Sequence, residues 1–197
     1  MPALIAHSHF HHIVLYVAVA VCYGPEWIGT FFQNPERGAK GRDRGSYAVL
    51  LTMIFVGVFL AFFAAFGVTV ATITWQQPVV FWAGIVLMLA GTAFRWYAIR
   101  KLGRFFTRSV ATRAGQFVVD TGPYRWIRHP SYSGALLTML GLGLALTNWL
   151  SVLLVLVASL IGYVWRVHVE EQALCADLGQ PYRDYMQRTK RFVPRIW

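Results

Sequence analysis

The densest chemistry in this chain lies in Thr121-Gly-Pro-Tyr-Arg-Trp-Ile-Arg-His-Pro-Ser-Tyr132, a polar, basic and aromatic stretch that runs straight into apolar sequence. Pro130 disfavours the α conformation at His129 and suits the first position of a helix. Arg128-His129 is therefore read as an approach, and Pro130-Ser131-Tyr132 as the first turn of a membrane helix. Backbone N–H groups and the positive end of the helix dipole gather at such a turn, which suits a carboxylate or phosphate. A basic juxtamembrane anchor with an aromatic belt has the same composition, so this stretch alone leaves both readings open. A second polar group follows at Arg166-Val-His-Val-Glu170-Glu171. Arg166 and Glu170 lie one helical turn apart and can pair, while Glu171 projects about 100° away round the helix. Here too a plain alternative stands, a charged pair snorkelling at a helix end.

The elements that must position these residues are membrane helices. Of the 197 residues, 57% are hydrophobic and 13% charged, with eight Trp and a mean hydropathy of +0.50, a membrane rather than a soluble composition. The length fits one domain over 1–197. No charged side chain occurs from Gly45 to Phe94 or from His129 to Trp165. Since about 20 apolar residues span a bilayer, the first gap holds two spans and the second a tight pair. The expected architecture is all-α and polytopic, with about five spans near 13–33, 47–73, 78–99, 131–147 and 149–169. Gly134, Gly141 and Gly143 suit close helix packing in lipid and are read as part of a tight hairpin turning at Asn148. Beyond the fifth span the helix runs on through Leu174, Gly179 suits its C-cap, and Pro181 opens a short helix carrying Tyr182 and Tyr185. The alternative for this tail is an amphipathic helix resting on the membrane surface.

Charge sets the expected orientation. All 18 Lys and Arg residues fall in segment 34–45, in segment 95–128 or from Arg166 onward, and the links Thr74–Gln77 and Thr147-Asn148 carry none. With five spans, the three basic segments share one side, which the positive-inside rule makes cytoplasmic. The N-terminus is then outside and the C-terminus inside. The net charge of +10 follows from topology and attraction to anionic lipid, with no basic soluble domain to bind nucleic acid.

Other features exclude alternatives. Cys22 and Cys175 show no disulfide or metal spacing, and no signal peptide is expected. His7, His9, His11 and His12 form a His-rich start, read as a disordered or interfacial tail, with a stray metal ion as the alternative. Gly141-Leu-Gly143 lies in an apolar helix, follows no strand and is no dinucleotide fingerprint. Glu26, beside the Gly24-Pro25 break, is the acidic residue well inside a span and thus a candidate functional carboxylate.

Two motifs together carry a resemblance. Gly122-Pro-Tyr124-x-x-x-Arg128-His129-Pro130-x-Tyr132 resembles the signature of the isoprenylcysteine carboxyl methyltransferase and phospholipid methyltransferase families. So does Arg166-x-x-x-Glu170-Glu171-x-x-Leu174, with Gly179, Tyr182, Tyr185 and Arg191-Phe192-x-Pro194 following. The resemblance covers about 95–197 and extends to 1–94 only as further apolar spans. It implies an integral membrane enzyme using S-adenosylmethionine, its pocket at the cytoplasmic ends of the last two spans and closed by the tail. Gly122, Tyr124, His129 and Tyr132, with Glu171, Tyr182 and Tyr185 from the tail, would line the cofactor pocket. Arg128, Arg166 and Glu170 would face the reacting centre.

The chemistry accords with these residue types. Methyl transfer is an in-line displacement that demands alignment above all. An ionised carboxylate acceptor needs no base but must be held, and a planar Arg fork does this well. Glu170 then orients the guanidinium or meets a cofactor ammonium or hydroxyl. Aromatic faces, from Tyr124, Trp126 or Tyr132, favour a sulfonium cation. The expected acceptor is a lipophilic or prenylated acid reached from the bilayer. Phospholipid amine methylation, which needs a base, and thiol methylation are the alternatives within this chemistry. A sterol-type membrane reductase and a non-enzymatic membrane protein are the alternatives outside it.

Overall fold

The computed structural model describes residues 8–32, 40–41, 43, 45–107, 111–112 and 115–194. Six helices carry the fold: α1 His9–Phe32, α2 Ser46–Gly67, α3 Gln77–Leu102, α4 Pro130–Ala145, α5 Trp149–Leu178 and α6 Gln180–Arg188. The all-α expectation needs one amendment. Two short strands, β1 Lys40–Gly41 and β2 Ala111–Thr112, pair antiparallel and join two of the basic connections. Glu26 sits on helical backbone after Pro25, but its side chain, like His7, lies outside the described residues.

Local sequence explains the helix ends. Pro130 sits at the first turn of α4, as its fixed φ favours. Asn148 caps α5 by accepting from the Ser151 N–H at 3.1 Å, and its side-chain amide donates to the Val68 carbonyl at 3.0 Å. One side chain therefore starts α5 and ties it to the end of α2. Gly179 closes α5 at φ 64°, a backbone region that favours glycine, and Pro181 opens α6.

Among the described residues, three helices are long and apolar enough to cross a membrane: Ser46–Gly67, α3 with its extension to Phe105, and Trp149–Leu178. Helix α4, at 16 residues, is shorter than the about 20 that a span requires. Packing explains how it is held. Helix α3 lies along α4 and α2 along α5. A Cβ on Gly91 would sit 2.6 Å from the Gly134 carbonyl oxygen, and one on Gly134 would sit 2.7 Å from the Arg95 nitrogen. Gly134 and Gly141 therefore serve an α3–α4 contact, backbone against backbone. Of the three glycines read as hairpin packing, only Gly143 faces α5, 2.7 Å from the Val152 Cα. Periodicity cannot say which neighbour a small residue will meet.

Candidate active site

Four pieces of chain meet at one end of the bundle: the end of α3, residues 121–133, the extended C-terminal part of α5, and the tail. The tail is stitched to the signature by backbone. The Arg128 N–H donates to the Lys190 carbonyl at 2.7 Å, the His129 N–H to the Arg191 carbonyl at 3.1 Å, and the Lys190 N–H to the Trp126 carbonyl at 3.2 Å. The Ser133 hydroxyl donates to the Phe192 carbonyl at 2.6 Å, and the Tyr185 hydroxyl to the Tyr124 carbonyl at 2.7 Å.

Glu171 is the electrostatic hub of this junction and is buried. Its Oε1 accepts from Arg128 Nε at 2.8 Å and faces His129 Nε2 at 3.3 Å, while its Oε2 accepts from Arg191 Nη2 at 2.9 Å and Nε at 3.2 Å. Arg128 also donates through Nη1 to the Met186 carbonyl at 3.0 Å and to the Thr189 carbonyl. Nε and Nη1 of its fork, expected to face the reacting centre, bind α5 and the tail, and the residue also lines the adjoining cleft.

Tyr132 organises the other half. Its hydroxyl donates to Glu170 Oε2 at 2.7 Å and accepts from Arg166 Nε at 3.4 Å. Its ring stacks on His129, centroids 5.5 Å apart and planes 6° apart. Arg166 and Glu170, expected to share a face, are thus bridged through this phenol. Arg166 is 2% exposed, and its Nη1 is ion-paired with Asp43 and bonded to the Ser46 hydroxyl at 2.8 Å.

Two cavities adjoin this network. A cleft of about 80 Å³ is lined by Tyr124, Arg128, His129, Tyr132, Glu170, Tyr182 and Tyr185, among others. An apolar chamber of about 400 Å³, within the range of ligand pockets, lies between α1, α2, α3, α4 and α5, and its polar residues include Arg95, Arg166 and Tyr47. Phe106, Thr107 and Tyr132 line both, so the two spaces meet at Tyr132. Seven of the ten residues singled out from sequence line the cleft, and Arg166 lines the chamber. Glu171 stands behind the cleft wall, and Gly122, at φ +60°, packs towards Tyr97 and Lys101. Trp126 is exposed. Burial pushes the phenols of Tyr124, Tyr182 and Tyr185 up, and Glu170 adds to this at Tyr124 and Tyr182. They are neutral hydrogen-bonding groups across the physiological range.

Asp43, Ser46 and Arg95 escaped the sequence reading. Asp43 is one of two acids in the basic segment 34–45, with Glu36, and Arg95 one of many interfacial cations. Neither carries a motif, and only their contacts distinguish them.

Known proteins resemble this chain in sequence and fold. Residues 84–176 match the model of the isoprenylcysteine carboxyl methyltransferase family. Over that region, just under half of the chain, the sequence is similar to that family. The family match takes in most of α3 and stops before α6. Among curated relatives, a protein-S-isoprenylcysteine O-methyltransferase of Tribolium castaneum is 31% identical over 115 residues, 57% of this chain and 41% of the relative. Protein-S-isoprenylcysteine O-methyltransferase B of Arabidopsis thaliana is 33% identical over 115 residues, 57% of this chain and 58% of the relative. The chain thus matches about half the length of these relatives. The solved structure of a eukaryotic intramembrane Ras methyltransferase, isoprenylcysteine carboxyl methyltransferase, aligns with TM-score 0.57 at 24% identity. The alignment covers 95% of this chain and 63% of that one. The likeness establishes a shared membrane fold that extends into α1 and α2, where sequence carries no motif.

Proposed function

We propose that the protein is an integral membrane methyltransferase that uses S-adenosylmethionine to esterify the carboxylate of an isoprenylcysteine-like acceptor. The observation that carries this reading is the meeting of a polar, aromatic cleft and an apolar chamber at Tyr132. The donor set of the cleft fits the cofactor. Tyrosine faces suit a sulfonium, and Glu170, on the cleft wall, suits an ammonium or hydroxyl. The bound cofactor supplies an electrophilic methyl group. At about 80 Å³ the cleft is smaller than a cofactor of that size needs, so binding requires its walls to part.

The chain's own residues hold and align. The apolar chamber takes the hydrocarbon of the acceptor, and Arg166 at its polar end takes the acid through the Nε edge that faces Tyr132. Of the two arginines first considered, Arg166 suits this role better, because Arg128 binds Glu171 and the tail. Among the described residues, the chamber lining contains two arginines and no acid. That favours an anionic acceptor over a phospholipid amine, which needs a base beside it. The orientation that accords with charge puts the C-terminus and this site in the cytoplasm. The β1–β2 pair and the Arg188–Asp120 contact at 3.0 Å support it by bringing all three basic segments to one end.

The test is calorimetric binding of S-adenosylmethionine and its demethylated product to detergent-purified protein, with a reduced nicotinamide as control. Radiolabelled methyl transfer to a prenylated cysteine acid, a phospholipid amine and a thiol follows. The expected outcome is saturable binding of the sulfonium cofactor and base-labile label in the acid. Binding of the nicotinamide alone, or label only in amine or thiol, overturns the reading.

A further inference from the structure

Arg166 is buried at the junction of cleft and chamber, and the two ends of its planar group are held in different directions. Nε reaches the Tyr132 hydroxyl at 3.4 Å, while Nη1 meets Asp43 and the Ser46 hydroxyl. Asp43 is itself fixed. The Ser46 hydroxyl donates to its Oδ1 at 2.8 Å, the Tyr47 N–H to its Oδ2 at 3.2 Å, and its carbonyl accepts from the Ser46 N–H at 2.8 Å. The ring of Tyr47 also lies 5.9 Å from the guanidinium carbon. A carboxylate just ahead of α2 therefore fixes the far end of an arginine on α5, across 123 residues of sequence.

We propose that Asp43 is a positioning residue for the acceptor: it holds the Nη1 end of Arg166 so that the Nε edge is turned to Tyr132 and the chamber. The proposal rests on Arg166 being the acceptor's anchor. Physics supports the division of labour. A guanidinium offers donors along more than one edge, and a bidentate grip on a carboxylate uses one edge only. Anchoring the other end to a capped helix terminus fixes the plane of the fork before the acceptor arrives. Reacting groups displaced by about 1 Å lose rate on the order of 100-fold, so a freely rotating fork is costly. Ser46 is the second support, since its hydroxyl accepts from Arg166 and donates to Asp43.

The test compares wild type, Asp43→Asn, Asp43→Glu and Ser46→Ala in detergent, with an S-prenylated N-acyl-cysteine as acceptor. The readouts are kcat and KM for the acceptor, Kd for S-adenosylmethionine, and thermal midpoint. Asp43→Asn keeps the hydrogen-bonding shape but drops the charge. Its acceptor kcat is expected to fall about ten-fold or more with cofactor Kd within about two-fold of wild type, and Asp43→Glu should recover part of the loss. Wild-type kcat and KM in Asp43→Asn, or a fall in kcat matched by an equal loss of cofactor binding, overturns the proposal. If Asp43→Asn does not fold, Ser46→Ala decides: a several-fold loss of kcat at unchanged Kd supports the proposal, and wild-type kinetics overturn it. Wild-type protein that methylates no acid refutes the anchor reading itself, a result distinct from either.

Discussion

Glu171 shows how a buried acid is made tolerable. Three cationic or polar side chains converge on it, and two of them, Arg128 and Arg191, come from segments that it draws together. Removing one partner of a buried pair costs about 3–5 kcal/mol, because the other charge is left uncompensated. Arg191 keeps 35% side-chain exposure while Arg128 has 8%, so water offsets only the former, and the low end of that range applies. Glu171→Gln should therefore destabilise the folded protein by about 3 kcal/mol. It should also free the tail, seen as faster proteolysis after Arg188 and weaker S-adenosylmethionine binding. Unchanged proteolysis and affinity would remove Glu171 from the closure of the cleft. Arg128 and Glu171 were both legible as important from their motif. Their partners were not, because the motif names residue types and a fork can serve a substrate or a carbonyl equally well.

At the scale of elements, the α3–α4 contact decides where the signature stands. The first turn of α4 is carried on Gly134, whose missing side chain lets the α3 backbone approach. Arg95 then reaches over it to donate to the Ser131 carbonyl at 3.1 Å. A large side chain at position 134 meets backbone, which cannot rotate aside. Gly134→Leu should cost about 1–3 kcal/mol by overpacking and shift the signature relative to α5. The measurement is thermal unfolding in detergent alongside cofactor affinity, and both are expected to fall. The breaks at Pro130, Asn148, Gly179 and Pro181 were legible here, since these residues act locally. The glycine pairing was not, because it is a long-range contact.

At the scale of the whole molecule, one end of the bundle concentrates the ionisable groups, and burial there has a pH signature. The phenols of Tyr124, Tyr182 and Tyr185 are raised above the ordinary value of 10.0. A group whose folded pKa is raised gives stability that is complete below the unfolded value and lost as pH rises through the folded one. These three tyrosines should therefore leave stability flat through neutral pH and erode it above about pH 10. Absorbance titration should show their ionisation coinciding with unfolding. Phenolate formation by these three tyrosines in the native protein near pH 10, tracked by the signal lost in their Phe variants, would contradict their burial. The sequence by itself determined that the chain is apolar and helical, that helices end or start at Pro130, Asn148, Gly179 and Pro181, and which motifs resemble those of a known family. These follow from apolar run lengths, proline and glycine positions and residue spacing, all local in the chain. Only the tertiary structure decided that Arg128 binds the tail, that Arg166 is held by Asp43, and that cleft and chamber meet at Tyr132. Those contacts join residues far apart in sequence, and their energies depend on burial and direction, which a linear pattern does not encode.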